Sequence, residues 1–299
     1  MSDFLSALLA SGLRPATVAP DGRWHRCPTE DKPHRRNGVF KLDIGGATGV
    51  FRNYAMDADF NFWRDCAHTA KNSKRCGDTL DALRRMSAQD EHRRASRSAE
   101  ARRFWGAAPP LLGAHPYLSR KLLSTRGCEG LRRHRDLLLV PVERDGEVIS
   151  VQAISPSGQK RFFSGAPIKG GRYVINRPSA ALTCLVEGFA TGLAVYQCVS
   201  QCRVVVAFDC ANLAVIAPSI KWRPLVICAD NDHATQARIG RNPGMEAAQH
   251  AAKLTGAAIA APSGINGSDW ADALREWGEG AANRIGRAIL ASLMEPAMS

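Results

Sequence analysis

One short stretch, Leu182-Thr183-Cys184-Leu185-Val186-Glu187-Gly188, sets the pattern of the chain, because it is an apolar run that ends in an acid. Residues 225–232, Leu-Val-Ile-Cys-Ala-Asp-Asn-Asp, repeat that pattern. Runs of this kind predict buried strands that each deliver a carboxylate at the C-terminal end. Between them, residues 190–200 have the length and apolarity of a helix, and residues 204–208 predict a further strand that ends before Asp209.

The elements that follow keep strands and helices alternating. Pro243 opens a helix, since proline is tolerated in a first helical turn. Residues 257–261 predict another strand, and Asp269 and Asp272 stand at the start of a last helix. This order predicts a parallel sheet with right-handed crossovers, in which ligands bind at the C-terminal edge of the strands. The acids expected at that edge are Glu187, Asp209, Asp230 and Asp232.

Carboxylates that converge on one edge repel one another unless a cation or protons compensate. Asp230 and Asp232 are two residues apart, so an extended chain points both the same way. Oxygen ligands without a Cys/His cage suit Mg²⁺ that is held partly by substrate phosphates. The chain has a net charge of +12, whereas residues 182–280 hold 7 Lys+Arg against 9 Asp+Glu. An acidic island in a basic protein is what metal-assisted phosphate chemistry on nucleic acid requires.

Four motifs in this order resemble the Toprim domain of bacterial-type primases and topoisomerases, and most closely that of primases carried by conjugative plasmids, phages and integrated elements. The motifs are Glu187-Gly188-Phe189-Ala190-Thr191-Gly192, Ala207-Phe208-Asp209-x-x-Asn212-Leu213, Ala229-Asp230-Asn231-Asp232 and Gly267-Ser268-Asp269-Trp270-x-Asp272. The resemblance implies an α/β chain: a Toprim fold over residues 182–280, with a mostly parallel sheet flanked by helices. It also implies an antiparallel, β-rich basic subdomain before that fold, over residues 131–181.

The activity that the resemblance implies is that of a DNA primase, a nucleotidyltransferase that makes short RNA primers on single-stranded DNA for replication or transfer of a mobile element. The implied cofactor is Mg²⁺ or Mn²⁺, and ribonucleoside triphosphates are the implied substrates. Asp230 and Asp232 would hold the metal, and Glu187 would complete the metal site or accept the proton. Asp269 and Asp272 match an additional acidic motif that would ligate a second metal, although Asp269 could instead cap a helix.

Basic residues before the Toprim segment match those that contact nucleotide or template in that family. The set consists of Lys160, Arg161 and Lys169, with Arg135, Asp209 and Asn212 beside them. The alternative is that Lys160 and Arg161 are ordinary charges on an edge strand that discourage aggregation. The flexible, glycine-containing loop over residues 165–171 and the pair Phe162-Phe163 favour the functional interpretation.

Residues 1–85 predict a small α+β domain in which aromatic and arginine side chains interleave on strands. On a β surface that mixture can stack bases and hold phosphates, although the aromatic residues could equally form the core of a small sheet. Primases of this class often begin with a zinc ribbon, but the spacings of His25, Cys27, His34, Cys66, His68 and Cys76 do not fit one, so zinc is not expected. The predicted DNA-binding residues of this domain and of the following linker are Trp24, Arg26, Arg35, Arg36, Arg52, Trp63, Arg93 and Arg97.

Composition supports a polyanionic partner, because residues 91–135 alone hold 11 Lys+Arg against 3 Asp+Glu. Residues 86–130 are predicted to be a basic helical linker, and residues 281–299 to form a C-terminal helix. No run approaches the length of a membrane span, and nine scattered cysteines fit reduced thiols, so a cytoplasmic protein without a membrane partner is expected. The chain lacks the phosphate loop of a helicase, so a separate replicative helicase is the expected partner.

Other classes of function use the same acids. A Toprim nuclease would direct water at a phosphodiester, and a non-catalytic protein would simply bind single-stranded DNA. A topoisomerase would need a strand-cleaving tyrosine on a further domain, and the chain has only four tyrosines. The basic β-rich segment before Glu187 favours the primase over the nuclease, and the presence of Glu187, Asp230 and Asp232 favours an enzyme over a binding module.

Overall fold

The computed structural model describes residues 2–31, 33–54, 60–65 and 73–294. The chain divides into two compact units, Met1–Arg93 and Arg94–Ser299. Within the described ranges, no helix combines the length and the apolarity that crossing a bilayer would require.

The first unit packs one helix on a four-stranded antiparallel sheet. Phe4 of the helix meets Phe40, Phe51 and Trp63 at ring-centroid distances of 6.5, 6.1 and 5.1 Å. Gly49 lies under this ring, and a Cβ at that position would come within 2.6 Å of the Phe4 Cζ atom. The elements are α1 (Ser2–Ala10), β1 (His25–Cys27), β2 (Gly38–Leu42), β3 (Thr48–Asn53) and β4 (Asn61–Arg64), and the sheet order follows the chain.

Two helices lie in the predicted linker over residues 86–130. Helix α2 (Ser73–Ala107) begins before it and contains the division between the units, and α3 (Pro116–Arg120) follows. The buried His115 caps α3, because its Nδ1 accepts a hydrogen bond from the Tyr117 amide at 3.2 Å. The other ring nitrogen, Nε2, lies 2.8 Å from the carbonyl oxygen of Asp136.

An antiparallel sheet of four strands opens the second half of the chain, as the sequence predicts. Its hairpin turn uses Asp145 and Gly146 with φ of 53° and 82°, a left-handed pair that two-residue hairpin loops favour. Residues 138–142 of its second strand are all apolar and buried; Leu138, Val140 and Val142 belong to one apolar cluster and Leu139 to another, so both faces of this sheet are covered. The strands, in sheet order, are β5 (Arg132–His134), β6 (Leu137–Arg144), β7 (Glu147–Ile154) and β8 (Lys160–Phe162).

The second sheet of this unit has four parallel strands and one antiparallel edge strand. Its order is β13-β12-β10-β11-β9, and only β9 runs against its neighbour β11. Strand β9 lies within the segment 131–181 that we expected to be the basic subdomain, yet it completes the parallel-strand sheet. The strands are β9 (Tyr173–Ile175), β10 (Leu182–Val186), β11 (Cys202–Val206), β12 (Leu225–Cys228) and β13 (Ala258–Ala260).

Helices cover both faces of that sheet and create two apolar layers. Cys184 and Val186 face one layer, which includes Phe189 and Trp270, and Leu185 between them faces the other. The helices are α4 (Phe189–Cys198), α5 (Cys210–Ile216), α6 (His233–Ile239), α7 (Pro243–Thr255), α8 (Trp270–Trp277) and α9 (Ala281–Ser292). The predicted fold class is confirmed: an α/β layer preceded by an antiparallel sheet and a small α+β unit.

Candidate active site

The C-terminal ends of three neighbouring parallel strands bring acids together. Glu187 follows β10, Asp230 lies two residues after the end of β12, and Asp209 lies three residues after the end of β11. Two backbone hydrogen bonds fix the strand ends in register: the Ala207 amide donates to the Val186 oxygen at 2.8 Å and the Phe208 amide to the Glu187 oxygen at 2.7 Å. The expected carboxylate edge is therefore present.

Burial and mutual repulsion raise the pKa of both central acids. For Glu187, burial is the main cause, with the charges of Asp209 and Asp232 adding to it, and the pKa rises to about 7. For Asp230, burial and then the charges of Glu187, Asp269 and Asp232 raise the pKa to about 8. The ammonium of Lys160 opposes both shifts. The cations of the protein therefore do not compensate these carboxylates fully, so protons or a bound cation must do so.

Asp232 is fixed by the first turn of α7. Its Oδ2 accepts a hydrogen bond from the Gly244 amide at 3.0 Å, and its own amide donates to Asn242 Oδ1 at 3.1 Å. A Cβ on Gly244 would clash with the carbonyl oxygen of Asp230 and would lie 3.1 Å from Asp232 Oδ2. Glycine is thus needed here for a close approach of helix α7 to the strand end.

Two asparagines, which sequence reasoning did not select, tie the segment between Asp230 and Asp232 to its surroundings. Asn242 Nδ2 donates to Asn231 Oδ1 at 2.9 Å, and Asn231 Nδ2 donates to the Pro262 oxygen at 3.0 Å. The Asn231 amide also donates to the Ser268 oxygen at 2.7 Å. The only sequence signal for this network was the pair Asn242-Pro243, which predicts a capped helix start.

The two acids of the last motif have different surroundings. Asp269 caps α8 by accepting the Asp272 amide at 2.8 Å, and its charge acts on Asp230. Asp272 instead pairs with Lys121 Nζ at 3.2 Å and Arg275 Nη2 at 3.3 Å. Burial alone would raise the pKa of Asp272, but its bond to Lys121 and the cations beside it lower it. A metal-binding role for either residue stays a prediction, and the contacts of Asp272 are those of a structural residue.

Lys160 is a predicted basic residue whose charge acts on Glu187 and Asp230. It starts β8, and its Nζ would lie 3.9 Å from a Cβ placed on Gly188. The other predicted cations, Arg135, Arg161 and Lys169, are exposed. Arg135 has a φ of 56°, and its carbonyl oxygen accepts a hydrogen bond from Arg133 Nε at 2.6 Å. Phosphate contact by these three residues stays a prediction.

Asp209 and Asn212 both make contacts within the chain. Asp209 caps α5 by accepting the Ala211 amide at 2.8 Å. Asn212 is only 4% exposed, and its amide group bonds four backbone groups in two segments. A direct contact of Asn212 with nucleotide, which we expected from the motif, has no support in these hydrogen bonds.

In the first unit, some of the predicted DNA-binding residues pack within the unit and the others are exposed. Arg52 is 3% exposed, lies 3.7 Å from the Asp90 carboxylate and stacks on Tyr54, and Trp63 packs on Phe4. The core lies on the face of the sheet that helix α1 covers. The alternation of residues along the strands does not predict which face that is. Trp24, Arg26, Arg35 and Arg36 are exposed.

The two arginines predicted on helix α2 are engaged within their own units. Arg93 pairs with Asp90 at 2.7 Å. Arg97 donates to the Ser164 oxygen at 2.7 Å and stacks on Phe163, with its guanidinium carbon 5.2 Å from the ring centroid. DNA contact by this whole set stays a prediction.

The sequence of this segment is similar to that of a known protein family. The segment 183–280 matches the model of the Toprim domain, described as "Toprim domain". Residues 183–280 are therefore similar to Toprim domains. This result confirms the family expected for the segment and agrees with its parallel strands and acid-bearing edge.

Two curated relatives, both named DNA primase TraC from Escherichia coli, match most of the chain. One is 28% identical over 272 residues and the other 24% identical over 274 residues, each match covering 85% of this chain. The chain spans only 25% and 19% of the length of these proteins. Among solved structures, the primase fragment of the bacteriophage T7 primase-helicase protein aligns with a TM-score of 0.40 and 12% identity, over 62% of this chain and 79% of that chain.

The acids of the Toprim domain fit a divalent ion. Asp230 Oδ1 is buried and has no hydrogen-bond partner, which is costly for a polar atom unless a cation or water meets it. In the part of the chain that the structure describes, no three His, Cys, Asp or Glu side chains are grouped so that they alone could hold a metal ion. An open set of oxygen ligands suits Mg²⁺, which keeps several waters and substrate phosphates in its coordination sphere.

Of the residues considered for zinc, Cys66 and His68 lie outside the described residues, as does the side chain of Cys76.

A dependence of stability on pH follows from the raised pKa values of Glu187 and Asp230. The folded chain favours their protonated forms, so this contribution to stability is complete below their ordinary values near pH 4 and is lost as pH rises through about 7 and about 8. We expect the melting temperature without divalent ions to fall between about pH 6 and pH 9, and Mg²⁺ to raise it more at the higher pH. Thermal denaturation with and without Mg²⁺ measures this, and an equal Mg²⁺ effect at both pH values would contradict it.

Proposed function

We propose that the chain is a DNA primase that synthesises short RNA primers on single-stranded DNA for the replication or transfer of a mobile element. One observation carries the proposal: Lys160, from the antiparallel sheet, acts on the same edge as Glu187 and Asp230 of the Toprim domain. A cation beside uncompensated carboxylates suits a triphosphate that arrives with divalent ions. The names of the two curated relatives support the same activity.

In the proposed reaction, the 3′-hydroxyl of a primer, or of the first nucleotide, attacks the α-phosphate of a ribonucleoside triphosphate, a new phosphodiester forms and pyrophosphate leaves. The chemistry that a bound Mg²⁺ or Mn²⁺ supplies is neutralisation of phosphate charge and a lower pKa of the attacking hydroxyl. Asp230 and Asp232 would hold that ion. Glu187, with a pKa of about 7, can exchange a proton near neutral pH, so it can accept the hydroxyl proton or act as a further ligand.

The proposed partners follow from this chemistry. Single-stranded DNA is the template, and the exposed basic and aromatic residues of the first unit, such as Arg26 and Trp24, would contact it. A separate replicative helicase would supply the single strand.

One assay tests the activity. Purified protein is incubated with circular single-stranded DNA and labelled ribonucleotides, with and without Mg²⁺. Oligoribonucleotides that form only with DNA and Mg²⁺ are the expected product. Nicked or linearised DNA would instead indicate a Toprim nuclease, and a salt-sensitive gel shift without product would indicate a DNA-binding protein, and either result would overturn the proposal.

Replacing Lys160 by methionine should weaken nucleotide use without unfolding the chain, because Lys160 is exposed. The loss of one charged contact to phosphate predicts a decrease of about 10- to 100-fold in kcat/KM for the nucleotide. Since Lys160 lowers the pKa of Glu187 and Asp230, its removal should also move the acidic limb of the pH–rate profile to higher pH. Lys253→Met is the matched control, because Lys253 is also an exposed lysine and lies at the end of α7. Equal effects of the two substitutions would contradict a specific role.

A further inference from the structure

Asn212 joins two segments that are distant in the sequence. Its Nδ2 donates to the carbonyl oxygens of Gly171 and Ala207, each at 2.8 Å, and its Oδ1 accepts the Gly170 amide at 2.8 Å. The side chain is 4% exposed, so these bonds are shielded from water. An amide is the only neutral side chain that supplies donors and an acceptor from one planar group.

One of these segments is the loop of residues 168–171, which carries Lys169. A Cβ on Gly171 would clash with Val142 and lie 3.1 Å from Ile149 Cδ1, so the end of the loop lies directly on the antiparallel sheet. Glu143 and Arg172 exchange two backbone hydrogen bonds of 2.8 Å beside it. One end of the loop is thus attached to the antiparallel sheet β5–β8, and Asn212 attaches the loop to α5.

The other segment is the turn after β11, which lies against the catalytic acids. Ala207 precedes Phe208, whose φ of 69° is uncommon for a residue other than glycine and costs backbone energy. That turn brings the Cys210 amide to Glu187, where its hydrogen bond partly offsets the rise that burial causes in the carboxyl pKa. Because Asn212 bonds both Ala207 and the loop that carries Lys169, it fixes the position of that loop relative to the turn.

We propose that Asn212 is a positioning residue that holds the Lys169 loop beside the carboxylate edge, so that the Lys169 ammonium meets the phosphates of the incoming nucleotide. This inference rests on the proposed primase function, because it assigns the nucleotide as the group that Lys169 contacts. Asn212 itself touches no substrate. It acts through Lys169, so its effect should disappear when Lys169 is absent.

A double-mutant cycle tests this dependence. The variants are Asn212→Ala, Lys169→Met and the double variant, and the readouts are binding of N-methylanthraniloyl-GTP with Mg²⁺ and the nucleotide KM and kcat in primer synthesis. We expect each single substitution to raise the dissociation constant and KM about tenfold with a much smaller change in kcat, and the double variant to match Lys169→Met alone. Hydrogen exchange at the Gly170 amide should become faster in Asn212→Ala.

Two controls separate positioning from general damage. Asn176→Ala removes an asparagine that bonds Arg203 at 2.9 Å and lies just after β9, and it should leave nucleotide binding unchanged. If Asn212→Ala does not fold, Asn212→Ser serves instead, because its uncharged hydroxyl has one donor and so cannot bond the Gly171 and Ala207 oxygens together.

The outcomes are distinct. Multiplicative losses in the double variant, or lower kcat with unchanged KM in Asn212→Ala, would overturn the role of Asn212 and leave the primase proposal intact. Wild-type protein that binds no nucleotide and makes no primer would overturn the primase proposal and this role with it.

Discussion

Replacing Asp230 by asparagine is expected to abolish primer synthesis, with a loss of about a thousandfold or more, and at the same time to stabilise the metal-free protein. Removing a ligand of the divalent ion forfeits several kcal/mol of transition-state stabilisation, and each 1.36 kcal/mol changes the rate about tenfold. The gain in stability has the opposite sign because burial and the neighbouring acids raise the Asp230 pKa to about 8. A neutral amide at this position no longer repels Glu187, Asp232 and Asp269.

The two effects are measured separately. Primer synthesis is followed with labelled ribonucleotides, DNA affinity by a gel shift, and stability by thermal denaturation without and with Mg²⁺ at about pH 9, where the wild-type acid is charged. Asp145→Asn is the matched control, since Asp145 lies in an exposed hairpin turn at a φ of 53°, which asparagine also tolerates. The control should behave as wild type. A parallel loss of DNA affinity would contradict the role of Asp230 as a metal ligand. A lower melting temperature of Asp230→Asn without Mg²⁺ would contradict the repulsion among the acids.

The central acids were predictable because local sequence encodes their placement. An apolar run that ends in Glu187 or in Asp230 specifies both a buried strand and its functional end, and the parallel topology then brings these ends together. The antiparallel sheet was predictable for a similar reason, since the Asp145-Gly146 turn and the strand-like apolar runs on either side of it are local signals. Neither prediction required knowledge of contacts between distant segments.

The supporting residues were harder to predict because their roles depend on contacts between distant segments. The side chains of Asn231 and Asn242 bond each other 11 residues apart, and Asn212 bonds a loop about 41 residues earlier. Strand β9 joins the Toprim sheet by pairing with β11, a choice between two sheets that its own three residues do not encode. In each case the role of the residue or strand depends on a partner that is distant in the sequence. The sequence alone does not identify that partner.

Gly244 offers the sharpest test of how the Toprim edge is held together. A methyl group from Gly244→Ala would clash with the Asp230 carbonyl oxygen and lie 3.0 Å from its carbonyl carbon. The Asp230 backbone cannot retreat freely, because the following Asn231 amide is bonded to the Ser268 oxygen at 2.7 Å. Helix α7 must therefore move away, which breaks the bond from the Gly244 amide to Asp232. We expect primer synthesis to fall about a hundredfold and the protein to lose about 1–3 kcal/mol of stability.

Gly106→Ala provides the matched control for this substitution, because Gly106 lies in helix α2 and a Cβ there would meet nothing within 4 Å. The same added methyl should stabilise that helix by about 0.5–1 kcal/mol and leave primer synthesis unchanged. Activity assays at increasing Mg²⁺ distinguish the possible causes of the loss. If Gly244→Ala acts by displacing Asp232, the Mg²⁺ concentration needed for half-maximal activity should rise and Mg²⁺ should raise the melting temperature less than in wild type. If Gly244→Ala is inactive but Mg²⁺ raises its melting temperature as much as in wild type, Mg²⁺ binding does not depend on the position of Asp232. That result would contradict the proposed role of the α7 contact in holding the carboxylate edge.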